Sequence, residues 1–142
     1  MKPLSTYRVA ARRLDAHGSE ARCKDARLTL DTDPAGRDDA FNPAELLLAA
    51  LAACMIKNIE RVAPILQFSF RDIRIHLNGQ RRDKPPAMER IDYEIVIDTD
   101  ESDKRLELLH RNVRGFGTVY NTLAAGCELA GTLRRGNDDA GQ

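Results

Sequence analysis

The stretch "FNPAELLLAALAACMIKNIERVA", residues 41–63, predicts one long helix around which the rest of the fold is arranged. Asn42 suits the N-cap, Pro43 suits the first helical position, and Glu45 falls at the third position of a capping box. We expect the helix to end near Ala63, because Pro64 follows it. Its first half is apolar on every side, which is typical of a helix at the centre of a domain.

The segments on either side of this helix predict a single α+β domain. Alternating residues in the first 30 positions predict a hairpin that turns at "DAHGSE", residues 15–20, and alternation resumes in two half-buried strands after the helix. The order of strands, helix, strands, helices and strand indicates one domain over residues 1–142. We expect an ordered core over about residues 6–134 and a frayed tail at 136–142.

Composition argues against two classes of partner. The chain has 142 residues with 22 basic and 22 acidic side chains, so its formal net charge is zero. Such a balance gives no bulk electrostatic reason to expect nucleic acid or an anionic membrane. The longest apolar run, residues 46–56, is shorter than the roughly 18 residues that a membrane span needs. We therefore expect no nucleic acid partner and no membrane partner.

The cysteines and the apolar helix predict the setting of the protein. Cys23, Cys54 and Cys127 are odd in number and widely spaced, and the opening "MKPLSTYRVAARR" has no apolar signal core. These features indicate a reducing, cytoplasmic location. A helix that is apolar all round must be covered on all sides, and one small sheet covers only one side. We therefore expect a homodimer.

Metal and cofactor sites have little support in the sequence. His17, His76 and His110 fall in different predicted elements, as a turn, an exposed strand and a helix-surface residue, and no Cys-x-x-Cys or His-x-x-x-His pair occurs. No phosphate-binding loop, Rossmann fingerprint or nucleophile-elbow serine is present either. We expect neither a metal nor an organic cofactor.

Cys54 is the candidate nucleophile. On a helix, Leu51 lies on its N-terminal side, while Lys57 and Asn58 lie on its C-terminal side, so the thiol falls where an apolar face becomes polar. Such a border offers a wall for an organic substrate and a cation that lowers a thiol pKa starting near 8.5. The alternative is that Cys54 is a small hydrophobic residue filling the core.

Three other residues need to be weighed beside Cys54. Glu45 is on the opposite side of the helix and about 13 Å away along its axis, so its predicted role is the helix cap. Cys127 is either a second redox thiol that forms a disulfide with Cys54 or a small residue at the start of the last strand. Cys23, between Arg22 and Lys24, is expected to be more exposed and adventitiously reactive.

The segments "FNPAELLLAALAAC" and "MIKNIERVA" resemble the central helix of the OsmC/Ohr family. A second segment, "RGFGTVYNTL" at residues 114–123, resembles that family's second motif, and the resemblance extends from about Thr6 to Arg134. It implies an OsmC-like α+β fold in which antiparallel sheets surround a long buried central helix. It also implies an intertwined homodimer with two sites at the subunit interface.

The resemblance implies that Cys54 corresponds to the peroxidatic cysteine of the family. Its thiolate would attack the O–O bond of an organic hydroperoxide and become a sulfenic acid, which a second cysteine converts to a disulfide for reduction by small or lipoyl dithiols. The predicted function is a thiol-dependent peroxidase in oxidative stress, with Cys54 and Cys127 as site residues. The alternative is a non-catalytic dimer that binds a small apolar or thiol-bearing metabolite at its interface.

The chain departs from the family pattern at two positions. Ala44 stands where the Ohr branch has the acidic residue that holds its activating arginine, and Gly117 stands where the family has its second cysteine. Cys127 comes ten residues later and can replace that thiol only if the fold brings the two elements together. The activating arginine belongs to the N-terminal strands, where three residues are candidates: Arg12, Arg13 and Arg22.

Overall fold

The computed structural model describes residues 2–136, which form six strands and three helices in mixed α+β order. They divide into two compact units, the first ending at Leu47 and the second beginning at Leu48. The prediction that residues 1–142 are one domain stays a prediction, and the predicted tail lies outside the described residues from 137 onward. The elements are β1 (Ala10–Asp15), β2 (Gly18–Cys23), β3 (Ala26–Asp31), α1 (Pro43–Leu66), β4 (Asp72–Asp83), β5 (Pro86–Asp98), α2 (Asp103–Phe116), α3 (Thr118–Ala124) and β6 (Glu128–Arg135).

The first unit contains an antiparallel sheet of three strands in the order β1-β2-β3. The prediction of a two-stranded hairpin was wrong, because this segment forms three strands. The residues "GSE", predicted as part of the turn, begin β2. Asp15 makes the first turn tight, since its carboxylate accepts the backbone N–H groups of His17 (2.8 Å) and Gly18 (3.1 Å). Lys24, with φ of 56°, makes the second turn.

Helix α1 begins as its sequence predicts and ends slightly later. The backbone N–H of Asn42 donates to Glu45 Oε1 (2.9 Å), and the N–H of Glu45 donates to Asn42 Oδ1 (2.8 Å), so the predicted capping box is present. The helix continues to Leu66, with Pro64 inside its last turn. The predicted end at Ala63 was therefore three residues short. Proline removes only its own N–H bond, and the chain leaves the helix at Gln67, where φ is 52°.

The second unit contains a sheet in the order β4-β5-β6. Strands β4 and β5 form the antiparallel pair that the alternating pattern predicts, with exposed residues of β4 separated by partly buried ones. Strand β6 runs parallel to β5, so this sheet is mixed and not antiparallel throughout as expected. The reason is the connection, because α2 and α3 together carry the chain back to the end of the sheet where β5 begins.

The core of the second unit forms where one face of α1 meets apolar residues of the sheet and of α2. Its fully buried members include Leu51 and Ile59 of α1, Ile95 of β5 and Leu109 of α2. The first turns of α1, by contrast, stay only partly buried at residues 46–49. No helix within residues 2–136 combines the length and the apolar character that crossing a membrane requires.

Candidate active site around Cys54

Cys54 lies in the middle of α1, where its side chain is partly buried. Leu51, one turn earlier, is fully buried, and Lys57, one turn later, is exposed. The predicted border between an apolar face and a polar one is therefore present at the thiol on these two sides. Because Cys54 lies in the middle of the helix, the helix dipole has little effect on its thiol.

Gly117, at the junction of α2 and α3, approaches the Cys54 thiol from another part of the second unit. A Cβ atom built on it would lie 2.9 Å from Cys54 Sγ. Gly117 separates α2 from α3 in an extended conformation, with φ of −84° and ψ of 124°, so the backbone conformation itself does not require glycine. The absence of a side chain instead lets the junction of the two helices approach the thiol. The two segments "FNPAELLLAALAAC" and "RGFGTVYNTL" meet at this point.

A chain of aromatic contacts supports this junction. Tyr120 Cβ would lie 3.1 Å from the same added atom on Gly117, and the Tyr120 ring packs edge-on against Tyr93 with centroids 6.2 Å apart. The Tyr93 hydroxyl is 2.7 Å from His110 Nε2. Burial raises the pKa of Tyr93, and burial together with Arg114 lowers the pKa of His110, so both groups are neutral near pH 7. The predicted surface position of His110 was wrong, because the ring is partly buried.

The burial of Asn58 differs most from what the sequence predicts. The sequence places it on the polar side of Cys54, but it is only 4% exposed. Neither Nδ2 nor Oδ1 of its carboxamide has a hydrogen-bond partner within residues 2–136. Buried polar groups are nearly always paired, so this amide, one turn from a candidate nucleophile, requires an explanation. The sequence shows that Asn58 is one helical turn from Cys54, but it does not show that the side chain is buried.

A match to a protein-family model over two thirds of the chain identifies the family. The model of the OsmC-like protein family matches residues 36–130, which include both α1 and the junction at Gly117. The chain belongs to the OsmC-like protein family. None of the curated proteins that were searched matches it.

Solved structures share the fold of this OsmC-like chain at low sequence identity. The OsmC-like protein of Mycoplasma pneumoniae is 20% identical, with 92% of this chain and 97% of that chain covered and a TM-score of 0.85. An organic hydroperoxide resistance protein OsmC of Legionella pneumophila is 20% identical, with 93% and 98% covered and a TM-score of 0.73. The organic hydroperoxide resistance protein OhrB of Bacillus subtilis is 19% identical, with 93% and 100% covered and a TM-score of 0.66. The predicted α+β OsmC-like fold is confirmed.

The other two cysteines of this OsmC-like chain are also free thiols. Cys127 precedes β6, packs on the core of the second unit and lies 3.7 Å from the carbonyl oxygen of Glu128. Burial, with a smaller effect of Glu128, raises the pKa of the Cys127 thiol. Cys23, at the end of β2, is partly buried, as are the other two cysteines, and its expected greater reactivity stays a prediction. The redox roles of Cys54 and Cys127 stay predictions.

The three candidate arginines lie on strands β1 and β2 of the first sheet. Arg12 and Arg13 are exposed on β1, and Arg22 Nε donates to Glu20 (2.6 Å) in the same sheet. The pairing of one of them with Cys54 stays a prediction. His17 Nδ1 is 2.7 Å from Asp33 Oδ2, and His76 is exposed on β4. Among residues 2–136, no three side chains of His, Cys, Asp and Glu are grouped as metal ligands.

Proposed function

We propose that this OsmC-like protein is a thiol-dependent peroxidase that reduces organic hydroperoxides through Cys54, in an oxidative-stress role. The observation that carries the proposal is the approach of the Gly117 junction to the Cys54 thiol, which joins the two family motifs at one sulfur atom. Structural neighbours described as organic hydroperoxide resistance proteins support the same substrate class.

The proposed reaction has two stages. The Cys54 thiolate attacks one oxygen of R–O–O–H, the O–O bond breaks, and the alkoxide takes a proton and leaves as R–OH. Sulfur is oxidised by two electrons to the sulfenic acid Cys54–S–OH while the hydroperoxide is reduced. A thiol then attacks the sulfur, water leaves and a disulfide forms, which a further thiol reduces. Because Gly117 carries no thiol, an external thiol or Cys127 must provide the second stage.

The test is hydroperoxide consumption by the purified reduced protein with cumene hydroperoxide and dithiothreitol. We expect Cys54→Ser to lower the rate to the free-thiol background, because a serine hydroxyl does not supply the thiolate. Cys23→Ser is the matched control and is expected to retain the wild-type rate. Equal rates for wild type and Cys54→Ser would refute the proposal. Peptide mapping of the oxidised protein then tests Cys127: without a Cys54–Cys127 disulfide, Cys127 is structural and turnover uses external thiol.

A non-catalytic relative is the second candidate function. It is favoured by Ala44 and Gly117, which replace two groups that catalysis in the family would use. Such a protein would bind a small apolar or thiol-bearing metabolite beside Cys54 as a dimer. Alkylation of Cys54 as a function of pH separates the two functions. Slow labelling with a thiol pKa near or above about 8.5 supports the binding protein, and a thiol pKa below about 7 supports the peroxidase.

We also propose that the protein is a homodimer. Leu4, Tyr7 and Val9, which precede the first sheet, are 95%, 82% and 67% exposed, and the first turns of α1 are only partly buried. Large apolar side chains exposed in this number favour burial against a second copy. Sedimentation at micromolar concentration is expected to give about 32 kDa, twice the 15.9 kDa chain. A mass near 16 kDa would refute the dimer.

The proposed location is the cytoplasm, where the thiol reductant is available. Three free cysteines suit a compartment that keeps thiols reduced. The partners of the proposed reaction are a small organic hydroperoxide and a small dithiol or monothiol. Neither nucleic acid nor a membrane is part of the proposal, since the net charge is zero.

A further inference from the structure

Asn58 occupies the middle of the buried face of α1. At 100° per residue, Leu51 and Val62 lie about 20° and 40° from it around the helix, and both belong to the core. Asn58 itself is 4% exposed, and both polar atoms of its side chain are shielded from solvent. Its carboxamide is thus placed where the helix otherwise carries apolar side chains.

The free-energy cost of burying an unpaired amide indicates that Asn58 has a hydrogen-bond partner that the reduced, unliganded chain does not provide. Within residues 2–136, the Asn58 donor and acceptor are both unpaired. A buried polar group without a hydrogen bond destabilises the folded state, whereas a leucine of similar size would not. Hence packing alone does not account for asparagine at this position.

The direction of the side chain indicates where that partner would be. Asn58 follows Cys54 by four residues, so their Cβ atoms are neighbours about 5–6 Å apart on one face of the helix. Helical side chains lean toward the N-terminus and over the preceding turn. We therefore expect the carboxamide of Asn58 to extend toward the turn that carries Cys54.

We propose that Asn58 binds the oxygen atom that Cys54 carries as a sulfenic acid, an inference that rests on the proposed peroxidase function. The S–O–H group has one hydrogen to donate and an oxygen that accepts, which matches the unpaired acceptor and donor of the carboxamide. The reduced thiol lacks that oxygen, so this hydrogen bond forms only after the reaction with hydroperoxide.

The chemical consequence concerns the second stage of the reaction. An external thiol R′–SH attacks the sulfur of Cys54–S–OH, the S–O bond breaks, and the oxygen leaves as water with the proton of the attacking thiol. The product is the mixed disulfide Cys54–S–S–R′, and a second thiol releases Cys54 and R′–S–S–R′. A hydrogen bond from Asn58 Nδ2 to the departing oxygen stabilises the charge that develops there. Asn58 thereby accelerates the thiol step and not the attack on hydroperoxide.

The experiment measures the two stages separately in the full-length chain. The reduced protein receives one equivalent of cumene hydroperoxide, and dimedone labelling follows the sulfenic acid after dithiothreitol is added. For Asn58→Leu we expect sulfenic acid to form at the wild-type rate and to decay roughly three- to tenfold more slowly, the factor that one lost hydrogen bond gives. The unfolding midpoint of the reduced variant is expected to equal or exceed that of the wild type.

The matched control makes the same chemical change elsewhere. Asn112 on α2 is partly buried, and its Nδ2 already donates to the Leu108 carbonyl oxygen (3.5 Å), so Asn112→Leu is expected to leave the decay rate unchanged. Wild-type decay in Asn58→Leu, with Cys54-dependent hydroperoxide loss retained, would overturn this inference and leave the peroxidase proposal standing. Failure of the wild type to form any sulfenic acid would overturn both.

If Asn58→Leu does not fold, a measurement on the wild-type chain tests whether Asn58 binds the sulfenic acid of Cys54. The side-chain NH2 resonances of Asn58 are expected to move downfield and to exchange more slowly when Cys54 is oxidised by one equivalent of hydroperoxide. Unchanged resonances in protein whose oxidation is verified by a mass increase of one oxygen atom would overturn the inference.

Discussion

A cysteine in place of Gly117 is expected to close a disulfide with Cys54 when the protein meets one equivalent of hydroperoxide. The Cβ atom at position 117 would lie 2.9 Å from Cys54 Sγ. In a disulfide with an S–S bond of about 2.05 Å, the Cβ of one cysteine lies about 3 Å from the sulfur of the other. The φ and ψ angles of Gly117 are ones that cysteine adopts freely. Peptide mapping without reductant is expected to find the 54–117 bridge in most molecules.

The control for this variant lies two residues earlier. Gly115 is in the last turn of α2, and a Cβ atom there would have no described neighbour within 4 Å. We therefore expect Gly115→Cys to form no bridge with Cys54. Under excess hydroperoxide, Gly117→Cys should also accumulate less sulfinic acid at Cys54 than the wild type, since an internal thiol captures the sulfenic acid first. If Gly117→Cys still has four free thiols after treatment with hydroperoxide, no bridge has formed, and the geometry described for the site is contradicted.

Replacing Gly131 by alanine is expected to give the largest loss of stability from one added methyl group. Gly131 pairs with Tyr93 between β6 and β5, and an added Cβ atom would lie within 2.5 Å of the Tyr93 ring and nearer still to its backbone oxygen. Backbone cannot rotate away as a flexible side chain can, so the strands must separate. Such overpacking costs about 1–3 kcal/mol, which corresponds to a fall of several degrees in Tm.

Replacing Gly115 by alanine should instead increase the stability of the folded protein. Gly115→Ala adds a methyl group within α2 that, apart from the adjacent residues and the helix backbone, meets no atom of residues 2–136 within 4 Å, and it removes the flexibility of glycine from a helix. We expect a gain of about 0.5–1 kcal/mol. Thermal unfolding of both variants beside the wild type is the measurement. Equal stability of Gly131→Ala and Gly115→Ala would show that the contact with Tyr93 does not limit packing.

Local signals in the sequence were sufficient to predict the start of α1 and the pairing of β4 with β5. The capping box of Asn42 and Glu45 depends on four consecutive residues, and the alternation in β4 and β5 depends on near neighbours, so both appear in the structure as predicted. The hairpin prediction was wrong at β2, because Asp15 closes a turn of two residues and the strand resumes at once. The parallel pairing of β6 depends on residues about 40 positions apart, which no local pattern records.

The sequence by itself determined the central helix and the α+β class and made Cys54 the candidate nucleophile, because helical periodicity, capping and a family motif are properties of neighbouring residues. Only the tertiary structure decided what surrounds the thiol. It places Gly117, 63 positions later, against Cys54, and it buries Asn58, which spacing alone assigned to a polar face. The physical reason is that burial depends on which element covers a helix face, and contacts between residues distant in the chain decide that coverage.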